Sequence, residues 1–232
     1  EKFKKKLRWQ DDEKWFDQDG VGVLFYAVTS DEPNVVRELL QELKRSFNGV
    51  EYTRRLESRV RDEGYVTLGI PGGTTTLMAA MMTASPEVVS MLLECGANVE
   101  SVDVMGNDAF MFASGVGRPD NLQCWLQKVK GWDLNRQNTV LGGTALGVAV
   151  YMGANKLETV KMLLEAGARH DYRAFPGATV LTDTVSNEDS DPDVVRLVLE
   201  KLKSSSDSKT STLLVNYQRK PITLKWKSIY FI

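Results

Sequence analysis

A pattern that returns about every 33 residues limits what this chain can fold into more than any other feature. One copy runs Thr75-Thr76-Leu77-Met78-Ala79-Ala80, then Val88-Val89, Leu92-Leu93 and Gly96-Ala97. Another reads Thr144-Ala145-Leu146 with Ala149, then Val160, Leu163-Leu164 and Gly167-Ala168. The residue anchoring the first helix recurs at Leu24, Leu77, Phe110, Leu146 and Leu181, and a small residue follows one turn on, at Ala27, Ala80, Ala113, Ala149 and Thr184. The second helix repeats two doublets, as in Val35-Val36/Leu39-Leu40 and Val194-Val195/Val198-Leu199, which form one wide apolar stripe. Gly96 and Gly167 stand where a left-handed residue would end that helix. Units of this size cannot bury their apolar faces alone, so five of them must stack into an all-α solenoid of helix-turn-helix units. Such an array favours binding over catalysis.

These residues resemble the ankyrin repeat, and the resemblance covers roughly residues 17 to 202. Gly96-Ala97-Asn98 followed by Asp103 and Gly106 looks like the family's exit from the second helix into its finger. Gly20, Gly73, Gly106, Gly142 and Gly177 each stand four residues before their anchor, where the family keeps a finger glycine. The resemblance implies an ankyrin-repeat solenoid with β-hairpin fingers and about five to six repeats. The family's Thr-Pro-Leu-His opening is replaced by Thr-Thr-Leu-Met, Asp-Ala-Phe-Met, Thr-Ala-Leu-Gly and Thr-Val-Leu-Thr. With no histidine at the helix start, the units are expected to be less stable than consensus ones.

Outside the period, the chain divides into further segments. Residues 1–16 are basic and aromatic: Lys2, Lys4, Lys5, Lys6 and Arg8 interleave with Phe3, Leu7 and Trp9. Acidic residues from Asp11 to Asp19 offset that charge, and Phe3, Leu7, Trp15 and Phe16 suggest a helical cap on the first unit. The array spans 17–202 with a long insertion at about 44–69, expected to extend a second helix and then form a long finger. The acidic run Asn187 to Asp193 lacks the central glycine and bidentate glutamate of a calcium loop, while Asp191-Pro192 suits a helix N-cap. Residues 203–213 are a Ser/Thr-rich linker. Residues 214–232 look like the start of a further repeat, continuing in a longer parent chain or covered by a neighbouring subunit.

Charge and composition exclude little but do set a direction. A net charge of −2 supplies no general attraction to nucleic acid or anionic lipid. Cys95 and Cys124 read as reduced thiols, which points to an intracellular, reducing compartment such as the cytoplasm. No apolar run approaches the length of a transmembrane helix. His170 is the only histidine, so a His/Cys metal site and a Ser-His or Cys-His catalytic pair both lack support. The glycine-rich stretch at Leu141–Gly147 is followed by no Gly-Lys-Ser/Thr. Neither an enzyme nor a cofactor is expected.

The expected function is therefore a noncatalytic protein–protein interaction module, a scaffold or a subunit of a larger assembly. Carried over from the resemblance, partner contacts fall on the concave surface of fingers and first helices: Met82, Val104, Met105, Val116, Val140, Leu141, Tyr151, Met152 and Phe175. Their apolar character suits an apolar or amphipathic segment of another protein. One alternative is a regulatory or docking region of a larger enzyme or channel. A second is a nucleic-acid or anionic-lipid binder using Lys2 to Arg8 and Arg54 to Arg61.

Overall fold

The computed structural model describes residues 15–17, 21–61, 70–153, 156–174, 177–186 and 191–204. Among them are eleven helices and no strand. They are α1 (Val23–Thr29), α2 (Pro33–Ser46), α3 (Gly49–Leu56), α4 (Thr76–Thr83), α5 (Pro86–Glu94), α6 (Ala109–Val116), α7 (Pro119–Lys128), α8 (Ala145–Met152), α9 (Lys156–Glu165), α10 (Val180–Ser186) and α11 (Pro192–Ser204). Helices α1–α2, α4–α5, α6–α7, α8–α9 and α10–α11 pack as pairs. The chain divides into two compact units between Val104 and Met105.

Local chemistry explains where each helix begins and ends. Four of the five first helices open on a side-chain cap: Thr75 Oγ1 accepts from Met78 N (3.3 Å), Asp108 Oδ1 from Met111 N (2.9 Å), Thr144 Oγ1 from Gly147 N (3.3 Å) and Thr179 Oγ1 from Thr182 N (3.2 Å), while α1 follows Gly22 without one. Each satisfies a backbone donor that the first turn leaves open. Four of the paired second helices start on proline, at Pro33, Pro86, Pro119 and Pro192, where the missing N–H costs nothing. Helices α5 and α9 both end in a Schellman motif. Ala97 N donates to Leu92 O and Gly96 N to Leu93 O, while Ala168 N donates to Leu163 O and Gly167 N to Leu164 O. Gly96 and Gly167 have the positive φ this motif requires, 84° and 100°.

Packing follows the same two classes. In the first unit α1 packs on α4 and α2 on α5; in the second, α6 packs on α8 and α8 on α10, while α7 packs on α9 and α9 on α11. Within each unit the first helices thus form one layer and the second helices another. All five anchors are buried, as are Ala80, Ala113, Ala149 and Thr184 behind them. Phe110, Trp125 and Trp132 make an aromatic cluster, with Trp125 and Trp132 edge to face at 5.0 Å.

The 44–69 insertion departs from expectation. Helix α2 does run on to Ser46, but a separate helix, α3, follows, and residues 62–69 lie outside those described. Helix α3 packs back on α2 and is pinned at several places within its unit. Tyr52 Oη donates to Cys95 O (2.7 Å), and Asn98 N donates to the Glu57 carboxylate just after the helix (2.7 Å). Arg55 is buried, with its guanidinium 3.8 Å from the Phe47 ring centre, 5.8 Å from that of Trp15 and 5.9 Å from that of Phe16, and it pairs with Glu51. The insertion is therefore a brace across two helix pairs.

Three other expectations change at the margins. Trp15 and Phe16 are not helical: Trp15 is buried in a turn, and Phe16 forms an antiparallel bridge with Gly22. Phe3 and Leu7 lie outside the described residues. In place of β-hairpin strands the described loops carry single bridges, such as Arg59 with Thr75 and Arg173 with Thr179. Helix α11 runs through Ser204, two residues into the expected linker, and the expected further repeat at 214–232 lies outside the described residues. Asp191 behaves as a cap, its carboxylate accepting from Asp193 N at 2.8 Å.

Candidate interaction face

Charge is distributed by helix class. Helices α1, α4, α6 and α8 contain no Asp, Glu, Lys, Arg or His; their sequences are VLFYAVT, TLMAAMMT, AFMFASGV and ALGVAVYM. Helix α10 has one such residue, Asp183. Every paired second helix carries acidic residues, and all but α5 carry basic ones too. Within each unit the first helices, α10 apart, therefore present an uncharged surface, and the second helices a charged one. Contact with a neutral surface strips no water from a charge, so that layer can be covered at the lower cost.

In the unit from Met105, the loop before α8 is built around one buried amide. Asn138 Oδ1 accepts from Leu141 N (3.0 Å) and Gly143 N (3.1 Å), and Asn138 Nδ2 donates to Asn107 Oδ1 (2.9 Å). Thr139 Oγ1 reaches Met105 O at 3.3 Å, and Gln137 Nε2 reaches both Gly142 O (2.7 Å) and Arg173 O (3.0 Å). Asn135 Oδ1 accepts from Arg169 N at 2.7 Å. Successive loops are thus tied side chain to backbone, which fixes their tips in advance of any contact. Beneath them, the buried Asp108 carboxylate lies 3.6 Å from Arg136 Nε, and Arg136 covers Trp132.

The expected contact residues fall into three groups. Val140, at the tip of the Asn138 loop, is 48% exposed, and Met105, Val116, Tyr151 and Met152 are half-buried. Leu141 is a correction: the turn closed by Asn138 brings Leu141 inward, and it is buried. Phe175 lies outside the described residues. In the first unit Met82 is half-buried at the end of α4, and Val104 is exposed. Sequence reasoning missed Val185, which is 57% exposed on α10, because Thr182, Asp183 and Thr184 break the apolar pattern around it. It also missed Val102, although its period-2 spacing from the exposed Val104 was a usable signal.

The titratable groups serve structure. Burial holds the Glu57 carboxyl above its usual range, although Asn98 N–H and Arg59 act the other way. Burial, with Cys95 close by, pushes the Tyr52 hydroxyl up to about 12. His170 is held below its usual value mainly by burial, and Asp171 is lowered by its hydrogen bond to Arg169. Among the described residues no three His, Cys, Asp or Glu side chains converge on a point that could hold a metal ion. Neither Cys95 nor Cys124 forms a disulfide, and no described helix is long and apolar enough to cross a membrane.

Residues 72–104 match the family model of the ankyrin repeat. The match begins at the glycine turn before α4 and ends at the boundary of the first unit, so it takes in one complete helix pair with its Thr75 cap and its Gly96 exit. Residues 72–104 therefore carry an ankyrin repeat, and the helix pairs on either side of it repeat its buried anchors.

Proposed function

We propose that the chain is a noncatalytic protein-interaction module, a scaffold or assembly subunit, and that it binds its partner through the neutral layer of first helices and the loops that precede them. Ankyrin repeats generally serve protein–protein interaction, which supports the coarse reading. The observation that carries the finer one is the absence of Asp, Glu, Lys, Arg and His from α6 and α8, beside loops tied together by Asn138 and Gln137. Repeat by repeat, those loops occupy the place of the family's fingers, and the five helix pairs are five such units. The thiols of Cys95 and Cys124 fit a reducing, intracellular setting.

The basic alternative loses support where the chain is described. Arg55 is enclosed by Phe47, Trp15 and Phe16, and Arg54 lies 3.7 Å from the Glu51 carboxylate. The test is partner capture from source cells by the native chain and by a Met105→Glu, Tyr151→Glu double variant. The reading predicts loss of the partner from a variant whose circular dichroism is unchanged. Undiminished capture by the folded variant would sink it.

A further inference from the structure

The dipeptide Asn-Gly occurs once in the chain, at Asn48-Gly49, where α2 gives way to α3. An asparagine amide is attacked by the backbone nitrogen of the next residue at a rate set by three things. They are the bulk of that next residue, the freedom of the two reacting groups and the access of water. Glycine has no Cβ to obstruct the attack. A Cβ built on Gly49 would meet nothing within 4 Å, so the space around the reacting atoms is open. Asn48, Gly49 and Val50 are all exposed. Asn48 caps α3 through its backbone alone. Its carbonyl accepts from Tyr52 N at 3.3 Å, while its side-chain amide makes no hydrogen bond among the described residues. Gly49 is the first residue of α3, and the first N–H groups of a helix have no partner within it. The other described asparagines are held or enclosed, and none precedes glycine. Asn34 Oδ1 accepts from Arg37 (3.0 Å), Asn98 Oδ1 from Glu100 N (3.0 Å) and Asn135 Oδ1 from Arg169 N (2.7 Å), while Asn107, Asn121 and Asn138 are buried.

We propose that Asn48-Gly49 is a site of spontaneous deamidation, and that the isoaspartate it yields loosens the α3 brace. Asn48 is extended, with φ −141° and ψ 170°, and rotation about its Cα–C bond brings Cγ to Gly49 N. The Gly49 nitrogen bonds to Cγ and releases its proton. The Cγ–N bond of the amide breaks, and its NH2 departs with that proton as ammonia. Water then opens the cyclic imide at one of its two C–N bonds, and no electron changes hands. Opening at Cγ leaves aspartate, as good a cap as asparagine. Opening at the main-chain carbonyl leaves isoaspartate, whose backbone runs through Cγ and is one atom longer. Helix α3 packs on α2 while Tyr52 holds Cys95 O and Glu57 holds Asn98 N. An added atom at the joint moves α3 against α2 and pulls those contacts out of register.

The test holds the native whole chain at mildly alkaline pH beside an Asn48→Ser variant, which keeps a capping residue and lacks the amide. Trypsin then releases residues 46–54, which contain one asparagine and no glutamine or aspartate, so an amide-to-acid mass gain there reports on Asn48 alone. Methyl transfer from labelled S-adenosylmethionine by an isoaspartate methyltransferase scores the isoaspartate. The expected conversion at Asn48 is roughly tenfold or more faster than at Asn98 or Asn135, about 1.4 kcal/mol off the barrier. Amide exchange across 49–56 is expected to quicken in the isoaspartate form, separated by its added negative charge, and to stay unchanged in the variant held equally long. Conversion no faster than at Asn98 and Asn135 overturns the site. Fast conversion with native exchange in α3 overturns the loosening of the brace.

Discussion

Gly106 and Gly96 share a left-handed backbone, at φ 78° and 84°, for different reasons. A Cβ on Gly96 meets nothing within 4 Å, whereas one on Gly106 would lie 2.5 Å from Thr139 N and 2.4 Å from its hydroxyl. Gly96→Ala is therefore expected to cost only the left-handed penalty, about 1–2 kcal/mol. Gly106→Ala adds a backbone clash and should cost at least ~2 kcal/mol more, read as a larger drop in urea midpoint. Both glycines stand out in the sequence by their position in the period, but the close approach at Gly106 does not, because Thr139 belongs to the loop one period further along the chain. Glu57 carries a second residue-scale prediction. Its folded pKa lies above the unfolded value, so the folded state binds the proton more tightly, and stability declines as pH rises through the folded pKa. Glu57→Gln keeps an acceptor for Asn98 N and removes the buried charge. It should therefore raise the melting temperature at neutral pH, with the advantage vanishing as pH falls below the usual carboxylate range. Equal melting temperatures at neutral pH would show that the carboxylate is better hydrated than its burial implies.

Among the helices, the pairs were legible and the brace was not. Periodic apolar doublets and a closing glycine mark α5 and α9, with proline at the start of α5, and threonine or aspartate caps mark α4, α6, α8 and α10. Helix α3 hides because it begins on glycine, contains the β-branched Val50 and Thr53, and buries an arginine in place of an aliphatic residue. A hydrophobic pattern does not register an arginine whose partners, Trp15 and Phe47, are distant in sequence. If the aromatic box around Arg55 holds this element, Arg55→Ala should speed amide exchange across 49–56 and leave α8 and α9 at their native rates. Unchanged exchange in α3 would mean that Tyr52 and Leu56 suffice. Asp108→Ala removes the cap of α6 and leaves Arg136 over Trp132 without its carboxylate. A loss of about 1–2 kcal/mol in chemical denaturation is expected, at the upper end of cap deletions because the lost group is a buried anion.

At the scale of the molecule, the sorting of charge between helix layers ties fold to function. A stacked array must bury the inner side of every helix, yet burial alone leaves the exposed end of a first helix free to carry charge, as second helices do. Four first helices carry none. The apolar positions near the tips were legible from the repeat, which located Val104 and Val140 correctly as exposed. The repeat failed at Leu141, where three residues beyond the 33-residue period and the Asn138 turn bring the side chain inward. Affinity for a partner held by such a surface should change little over a roughly tenfold range of salt, since few exposed charges are available to be screened. The most direct test is hydrogen exchange on the native chain with and without its captured partner. The face proposed here predicts new protection in the loop 138–143, at the ends of α6 and α8 and on α10, with the outer turns of α7 and α9 unchanged. Protection confined to α7, α9 or the second helices of the first unit would place the partner on the charged layer and contradict that face outright.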